Sequence, residues 1–386
     1  MNNKFTIAIC GAGPTAQTLA LTLIKRGVPP SSIVLMDART HEQARNDQRT
    51  IALSFGSQQI LEAAGAWPIK ATEIHQIHVS RRGQFGRTLI DRDTCKVPAL
   101  GYVARYADIL EPLSQALGQF QPQLTLLRPV KVSAITETER QAQITLDDQR
   151  VFEADIVVQA EGGLFGDQTP QTRHHDYQQT ALISMVRCSA PIAGRAFERF
   201  TDQGPLALLP VDDAYALVWC VQPDRASGLL ALDDRLFLGE LQTAFGGRLG
   251  QFTAVAQRSA FPLGLNAQTS PPTGRCIRIG NAAQTLHPVA GQGLNLGLRD
   301  AFQLGRFLSL SATPAALQQF FAARSPDRQM TMQLTSRMAQ IFTTAGDDNP
   351  VANALQSLLG AGLGVIDVCP PAKNWLAEQM MFGKRD

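Results

Sequence analysis

The chain has 386 residues, 44% of them hydrophobic and 18% charged, which is too long for one compact core yet apolar enough to build a sizeable folded body. Its 31 Gly and 22 Pro follow no short period, so a fibrous repeat and wholesale disorder are both excluded. With 35 Lys+Arg against 33 Asp+Glu the net charge is +2, which leaves no electrostatic case for binding nucleic acid.

Phe5-Thr6-Ile7-Ala8-Ile9-Cys10 is short, apolar and partly β-branched, the pattern of a buried parallel strand. Gly11-Ala12-Gly13 reads as a tight turn, and the segment from Thr15 to Lys25 as a helix that Gly27 and Pro29-Pro30 terminate. The outline of a secretory signal is rejected, because Gly11–Thr15 splits the apolar run and no A-x-A-like site closes it. Ser32–Met36 is a second strand, closed by Asp37. Strand, glycine turn, helix, strand and acid together have the spacing of a dinucleotide fingerprint. In that fingerprint Gly11 makes the turn, Gly13 lets the backbone approach a pyrophosphate at the helix N-terminus, and Ala16 takes the third, packing position. Asp37 would accept ribose hydroxyls, which favours FAD or NAD over NADP.

Further along, Asp155–Ala160 is a late strand running into Glu161-Gly162. Ala181–Cys188, Ala196–Thr201, Leu206–Pro210 and Ala214–Val221 read as strands separated by turns, with His75–Arg82 joining them. His174-His175 reads as a polar surface pair. Cys276–Ile279 is another short strand, and it enters Gly280-Asn281-Ala282-Ala283-Gln284-Thr285-Leu286-His287-Pro288, then Gly291-Gln292-Gly293-Leu294-Asn295. Its glycines and the His-Pro step rule out a regular helix interior and suit a loop and helix start folded around a ligand. The tail from Ala315 reads helical except at Pro326 and at Gly346–Pro350, with apolar faces that include Leu355–Ile366 and Trp375–Phe382. Packing on the body is the first reading of that tail; a membrane- or partner-facing surface is the sharper one. Six scattered cysteines without a C-x-x-C suggest neither a disulfide framework nor a zinc site, and fit a reducing cytoplasm. No metal ligand set is expected.

The Gly280–Asp300 block resembles the second FAD motif of the class A flavoprotein aromatic hydroxylases, and within them the ubiquinone-biosynthesis hydroxylases of the UbiH type. Arg49–Ser54, His78–Gly83, Gly194–Thr201, Gly204–Pro210, Leu217–Cys220 and Arg324–Arg328 extend the resemblance along nearly the whole chain. It implies an α/β fold: a Rossmann-like FAD domain of the p-hydroxybenzoate hydroxylase type, an antiparallel substrate sheet, and C-terminal helices. The expected partition is 1–74, 99–175 and 271–330 for the FAD domain, 75–98 and 176–270 for the substrate domain, and 331–386 for the helical tail.

By resemblance, Asn281 would bond the FAD ribityl chain from a position where most relatives carry Asp. Gly280 and the Gly291, Gln292, Gly293, Leu294 and Asn295 segment would lie near flavin and pyrophosphate, and Arg49 would approach the flavin. Glu161, followed by Gly162, stands where the family has Asp-Gly. Its extra methylene moves the charge outward, with consequences for reduction more than for FAD binding. Pro288 would position the flavin loop. His287 has two readings, assistance to phenol deprotonation or a structural bond to backbone.

The implied activity is ring hydroxylation of a 2-polyprenyl-6-methoxyphenol. NAD(P)H would reduce FAD transiently, and O2 would form the C4a-hydroperoxide that delivers the oxygen. Implied partners are the prenylated phenol, O2, a ubiquinone-biosynthesis complex and the surface of the inner membrane, reached from the cytoplasm. The alternatives are a hydroxylase of another apolar phenol and a non-catalytic flavin-bearing subunit of that complex.

Overall fold

A computed structural model describes residues 3–82, 87–162, 168, 171–343 and 369–384. Its first element, the strand Lys4–Cys10, is flanked on both sides by parallel partners, Ile33–Met36 and Val151–Gln159. That placement explains why nearly every residue in it is apolar: both of its faces are covered. The sheet runs Thr125–Leu127, Ile33–Met36, Lys4–Cys10, Val151–Gln159, Ala142–Leu146, Val132–Glu137. Cys276–Arg278 pairs in parallel with the last residues of Val151–Gln159, alongside Val157 to Gln159. Thus a strand from the last third of the chain is seated in the N-terminal sheet.

Helix Gln292–Leu310 follows that strand and lies against helix Pro14–Lys25. Gly297 and Gly305 make the approach possible: a β-carbon would stand 2.8 Å from Thr15 Oγ1 at the first and 2.6 Å from Thr22 Cγ2 at the second. With Ala301 between them, the three small residues form a groove at intervals of four along one helix face.

A nine-stranded sheet forms the second body, in the order Gln284–Thr285, Ser259–Ala267, Arg173–Cys188, Ala214–Val221, Pro205–Val211, Arg195–Phe200, Gln76–Arg81, Arg87–Asp91, with Phe252–Val255 also pairing to Arg173–Cys188. The four central strands predicted from sequence are all present, two of them, Arg173–Cys188 and Pro205–Val211, longer than predicted. Its pairs are antiparallel except one: Gln76–Arg81 joins Arg195–Phe200 in parallel. The segment enters the sheet from the first body, after strand Thr72–Ile74, and a short turn cannot set that direction. One face packs on helices Pro223–Ala231 and Asp234–Phe245 through Trp219, Phe237 and Phe245. The opposite face looks toward the first body. A three-stranded sheet, Thr50–Ser54, Gly101–Arg105 and Thr72–Ile74, lies beside it.

The expected break at Pro326 is not there. Helix Pro314–Thr343 runs through it, although proline removes one backbone donor. The reason is tertiary. Arg324 and Arg328 both bond the buried Asp300 of helix Gln292–Leu310, while Asp327 bonds Arg299 and Arg324. Both sides of the proline are therefore fixed to the same neighbour. Helix Pro370–Phe382 packs on Phe55, and the Lys384 amide donates to Asp327. Gly346–Pro350 and Leu355–Ile366 lie outside the described residues. His174 and His175 are exposed. Among the described residues no helix is long and apolar enough to cross a membrane.

Candidate active site

A cavity of about 1380 Å³ lies between the two bodies. Its polar end is built by the glycine turn. Gly11 has φ +107°, and a β-carbon there would sit 2.9 Å from the Ala160 carbonyl oxygen, so the tight turn requires glycine. Gly13 caps helix Pro14–Lys25 and Gly291 caps helix Gln292–Leu310, and neither helix start has a side-chain cap. Both caps line the cavity. Two uncapped helix N-termini thus present their free amides and dipoles to one space, an arrangement that suits an anion. Gly293, with nothing within 4 Å of where its β-carbon would be, leaves the second helix start open to the cavity.

Asp37 closes this end. Its Oδ2 accepts the Ala12 amide at 2.6 Å and its Oδ1 the Arg39 amide at 2.8 Å. Each oxygen keeps a second lone pair for a hydroxyl. Arg128, only 9% exposed, lies 3.7 Å from Asp37 and donates to the Ala12 carbonyl. Glu161 and Gly162 line the same end. Desolvation in the cleft, then the charge of Asp37, raises the Glu161 carboxyl above its ordinary range, with Lys131 opposing. Arg49 reaches the cavity with its guanidinium on Asp47, at 2.6 Å from Oδ2, and over the Tyr106 ring. Burial works against the charges of this pair, but their mutual bonds prevail, raising Arg49 and lowering Asp47.

Gly280, at φ +60° against Thr15, and Asn281 form a short turn on the cavity wall. Leu294, His287 and Pro288 also line the cavity. His287 is fully buried: Nδ1 accepts the Val289 amide at 3.1 Å and Nε2 meets Gln179 Oε1 at 2.9 Å. An acceptor at Nδ1 and a donor at Nε2 define the neutral tautomer. Desolvation agrees, lowering its pKa to about 3.

Gln292 and Asn295, expected near the cofactor, do not line the cavity, and neither does Ala16, which was given the packing position. Ala16 is buried in the core beside Leu19 and Ile9. Gln292 donates to the Met380 carbonyl, tying the second helix to the C-terminal one. Asn295 is a brace: its Oδ1 accepts Ser54 N and Ser57 Oγ, and its Nδ2 donates to the Ala52 and Gly291 carbonyls. Arg128, Thr15, Tyr106 and Lys131 were not foreseen. Arg128 reaches Asp37 across a distance in sequence that no local pattern spans.

The other end of the cavity is the open face of the nine-stranded sheet, where Ile77, Val79, Ile183, Leu209, Val218 and Phe261 give it an apolar lining. Leu334 and Met338 of helix Pro314–Thr343, and Trp375, Leu376 and Met380 of the last helix, complete it. Trp375 is half exposed and marks where that wall meets solvent. The site can therefore hold a long dinucleotide-like anion at one end and a large apolar molecule at the other.

Comparison with known proteins bears on the dinucleotide-like end. The family described as "FAD binding domain" matches residues 4–337. The ubiquinone hydroxylase UbiL of Rhodospirillum rubrum is 30% identical, over 97% of this chain and 89% of its own. The 3-demethoxyubiquinol 3-hydroxylase of Escherichia coli is also 30% identical, over 78% of each chain. The crystal structure of p-nitrophenol 4-monooxygenase PnpA from Pseudomonas putida superposes over the full length of both chains, with a TM-score of 0.77 at 15% identity, a likeness of fold. The residues present fit FAD: a glycine cradle, a ribose-directed acid and two free helix starts. The chain belongs to this FAD-binding family and is an FAD-dependent aromatic-ring monooxygenase.

Proposed function

We propose that the chain hydroxylates the ring of a 2-polyprenyl-6-methoxyphenol in ubiquinone biosynthesis, with NAD(P)H as transient reductant and O2 as the oxygen source. One observation carries this reading: a single cavity joins the glycine cradle and Asp37 to a wide apolar chamber whose wall reaches solvent at Trp375. A short polar phenol would not need that chamber; a prenyl tail would. FAD, when bound, supplies the oxygen chemistry. The chain's own residues hold it, orient the ring and exclude water.

In this reading the Gly11–Gly13 turn and the Gly13 and Gly291 helix starts hold the pyrophosphate, and Asp37 the adenosine ribose. Asn281 takes the ribityl chain, and the Gly291–Leu294 amides and Arg49 approach the flavin. Glu161-Gly162 borders the same group. Ala16, Gln292 and Asn295 act at one remove, by packing and bracing. His287, with both nitrogens engaged, fixes the Pro288 loop through Gln179 and takes no proton from the phenol. Docking on an inner-membrane surface or within a biosynthetic complex would pass the tail out beside Trp375.

Deletion of the gene should cause a polyprenylphenol to accumulate, and the accumulated intermediate names the ring position. A second position is supported by the 30% identity to the Escherichia coli 3-demethoxyubiquinol hydroxylase, and the same profile separates the two. Absence of any such intermediate would end the proposal.

Gly13→Ala tests the cradle. Gly13 has an ordinary extended backbone, and the added methyl would meet only the Tyr106 hydroxyl, at 3.1 Å, so the fold tolerates it while the approach to a pyrophosphate is obstructed. Purified Gly13→Ala protein should carry clearly less FAD than wild type. Full occupancy would remove this turn from the pyrophosphate site.

A further inference from the structure

The face of the nine-stranded sheet turned away from the cavity gathers positive charge at its edge. Ile77, Val79, Thr88, Ile90 and Ala196 line the cavity, so the residues alternating with them project from the other side. There the register sets three cross-strand rows: Arg195, Gln76, Asp91; Phe197, His78, Leu89; and Arg199, Ser80, Arg87. The first row is balanced, because Gln76 accepts from Arg195 and donates to Asp91. In the second, Phe197 packs edge-on against Tyr215 and Phe245. The third has two arginines and no acid, and the connection between its outer strands, Gly83-Gln84-Phe85-Gly86, contains none either.

Arg199 is half-buried and held in place. Its Nε donates to the Ala244 carbonyl near the end of helix Asp234–Phe245, and Nη1 reaches Ser80 Oγ at 3.4 Å. Nη2 bonds nothing among the described residues. The chain then turns through Gly247–Leu249, which brings the charge of Arg248 to bear on Arg199. Burial, then Arg248 and Arg82, lower the Arg199 pKa. Arg87 and Arg248 are exposed, and among the described residues neither they nor Arg199 forms an ion pair. Asp202 lies 3.9 Å from Arg82.

His78 is the floor beneath these arginines. It is only 3% exposed, yet neither ring nitrogen bonds another residue. Burial, then Arg248, Arg195 and Arg87, push its pKa down to about 4, opposed only by its own backbone. The ring is therefore neutral near pH 7, with one N–H to donate. A buried donor without a partner is costly, and so is a set of guanidiniums without an acid. One anion with several oxygens would relieve both.

We propose that Arg87, Arg199 and Arg248, over His78, form a binding site for a phosphoryl group, on the opposite side of the sheet from the flavin cavity. Guanidinium forks meet phosphate oxygens in pairs, and three positive charges match a dianion better than a single carboxylate. A soluble phosphate compound and a lipid headgroup both present this group.

The test uses flavin-loaded enzyme, so that the pyrophosphate cradle is filled, and titrates inorganic phosphate calorimetrically at constant ionic strength in chloride. Wild type should bind phosphate saturably. The ring signal of His78 in the NMR spectrum, identified by its loss in His78→Gln, should shift with the same midpoint. The double variant Arg87→Gln/Arg248→Gln changes two exposed side chains, which the fold tolerates, and should bind phosphate on the order of tenfold or more weakly. Its flavin content and substrate-stimulated NAD(P)H oxidation should match wild type. Vesicles of phosphatidylcholine, with and without phosphatidylglycerol, separate the sources. Loss of phosphatidylglycerol-dependent binding in the double variant assigns the site to a lipid headgroup, and unchanged vesicle binding assigns it to a soluble phosphate compound. No saturable phosphate binding by wild type, or equal binding by the double variant, overturns the site whatever the vesicles show.

Discussion

Asp300→Ala is expected to be the most damaging single substitution outside the cofactor cradle. Asp300 is fully buried, and it takes Arg324 at 2.9 Å, Arg328 at 2.9 Å and the Gln284 amide at 2.9 Å. Burial alone would raise its carboxyl, but Arg328 and Arg324 outweigh that and hold it below the usual carboxylate range. The surrounding cluster already has three arginines, Arg299, Arg324 and Arg328, against two acids, Asp300 and Asp327. Removing Asp300 leaves Arg328 without its buried acid and Arg324 with only Asp327. Breaking a buried pair in this way costs about 3–5 kcal/mol.

The loss would reach the active site, because these arginines fasten helix Pro314–Thr343, whose Leu334 and Met338 wall the apolar chamber. Denaturant unfolding of Asp300→Ala should show that loss, and substrate-stimulated NAD(P)H oxidation should fall with it. A cost under about 1 kcal/mol would mean that the cluster is solvated and not the fastening described. The sign with pH follows from the depressed carboxyl. Its contribution is present above the ordinary Asp value and is lost as pH falls through the lower, folded value.

A second acid-labile element is His287, and it acts nearer neutrality. Its folded pKa of about 3 lies below the ordinary value of 6.5, so between those values the unfolded chain binds a proton that the native chain refuses. Stability therefore falls as pH drops below about 6.5, by roughly 1.4 kcal/mol per unit. From pH 7 to pH 5 the loss is about 2 kcal/mol. His287→Gln should be less stable than wild type at pH 7, since it sacrifices buried bonds to Gln179 and Val289. It should also lack this proton linkage, so the stability gap between the two proteins narrows by about 2 kcal/mol on going to pH 5. A gap that stays constant with pH would show that His287 is not held neutral in the native state.

What the sequence disclosed follows from how local each signal is. The strand, turn, helix and strand of residues 4–36 are set by neighbouring residues: apolar runs, a glycine at positive φ and a proline pair that ends the helix. The Gly280 block was legible for the same reason, since its glycines mark turns and close approaches wherever they occur. Pairing between distant elements was not. Nothing near Arg128 indicates that it will lie beside Asp37, and nothing in Gln76–Arg81 sets its parallel direction against Arg195–Phe200. Pro326 misled because a local rule met a tertiary constraint, the shared ion cluster on either side of it. Asn295 looked like a ligand contact because it sits in a glycine-rich block, yet its four bonds are all internal.

The groove made by Gly297, Ala301 and Gly305 also governs when the protein can become functional during its synthesis. Thr15 and Thr22 pack on a partner helix, Gln292–Leu310, that is translated long after them. Until that helix leaves the ribosome, the cavity lacks the second of the two helix starts that line it, so the complete pocket forms only after the two helices have met.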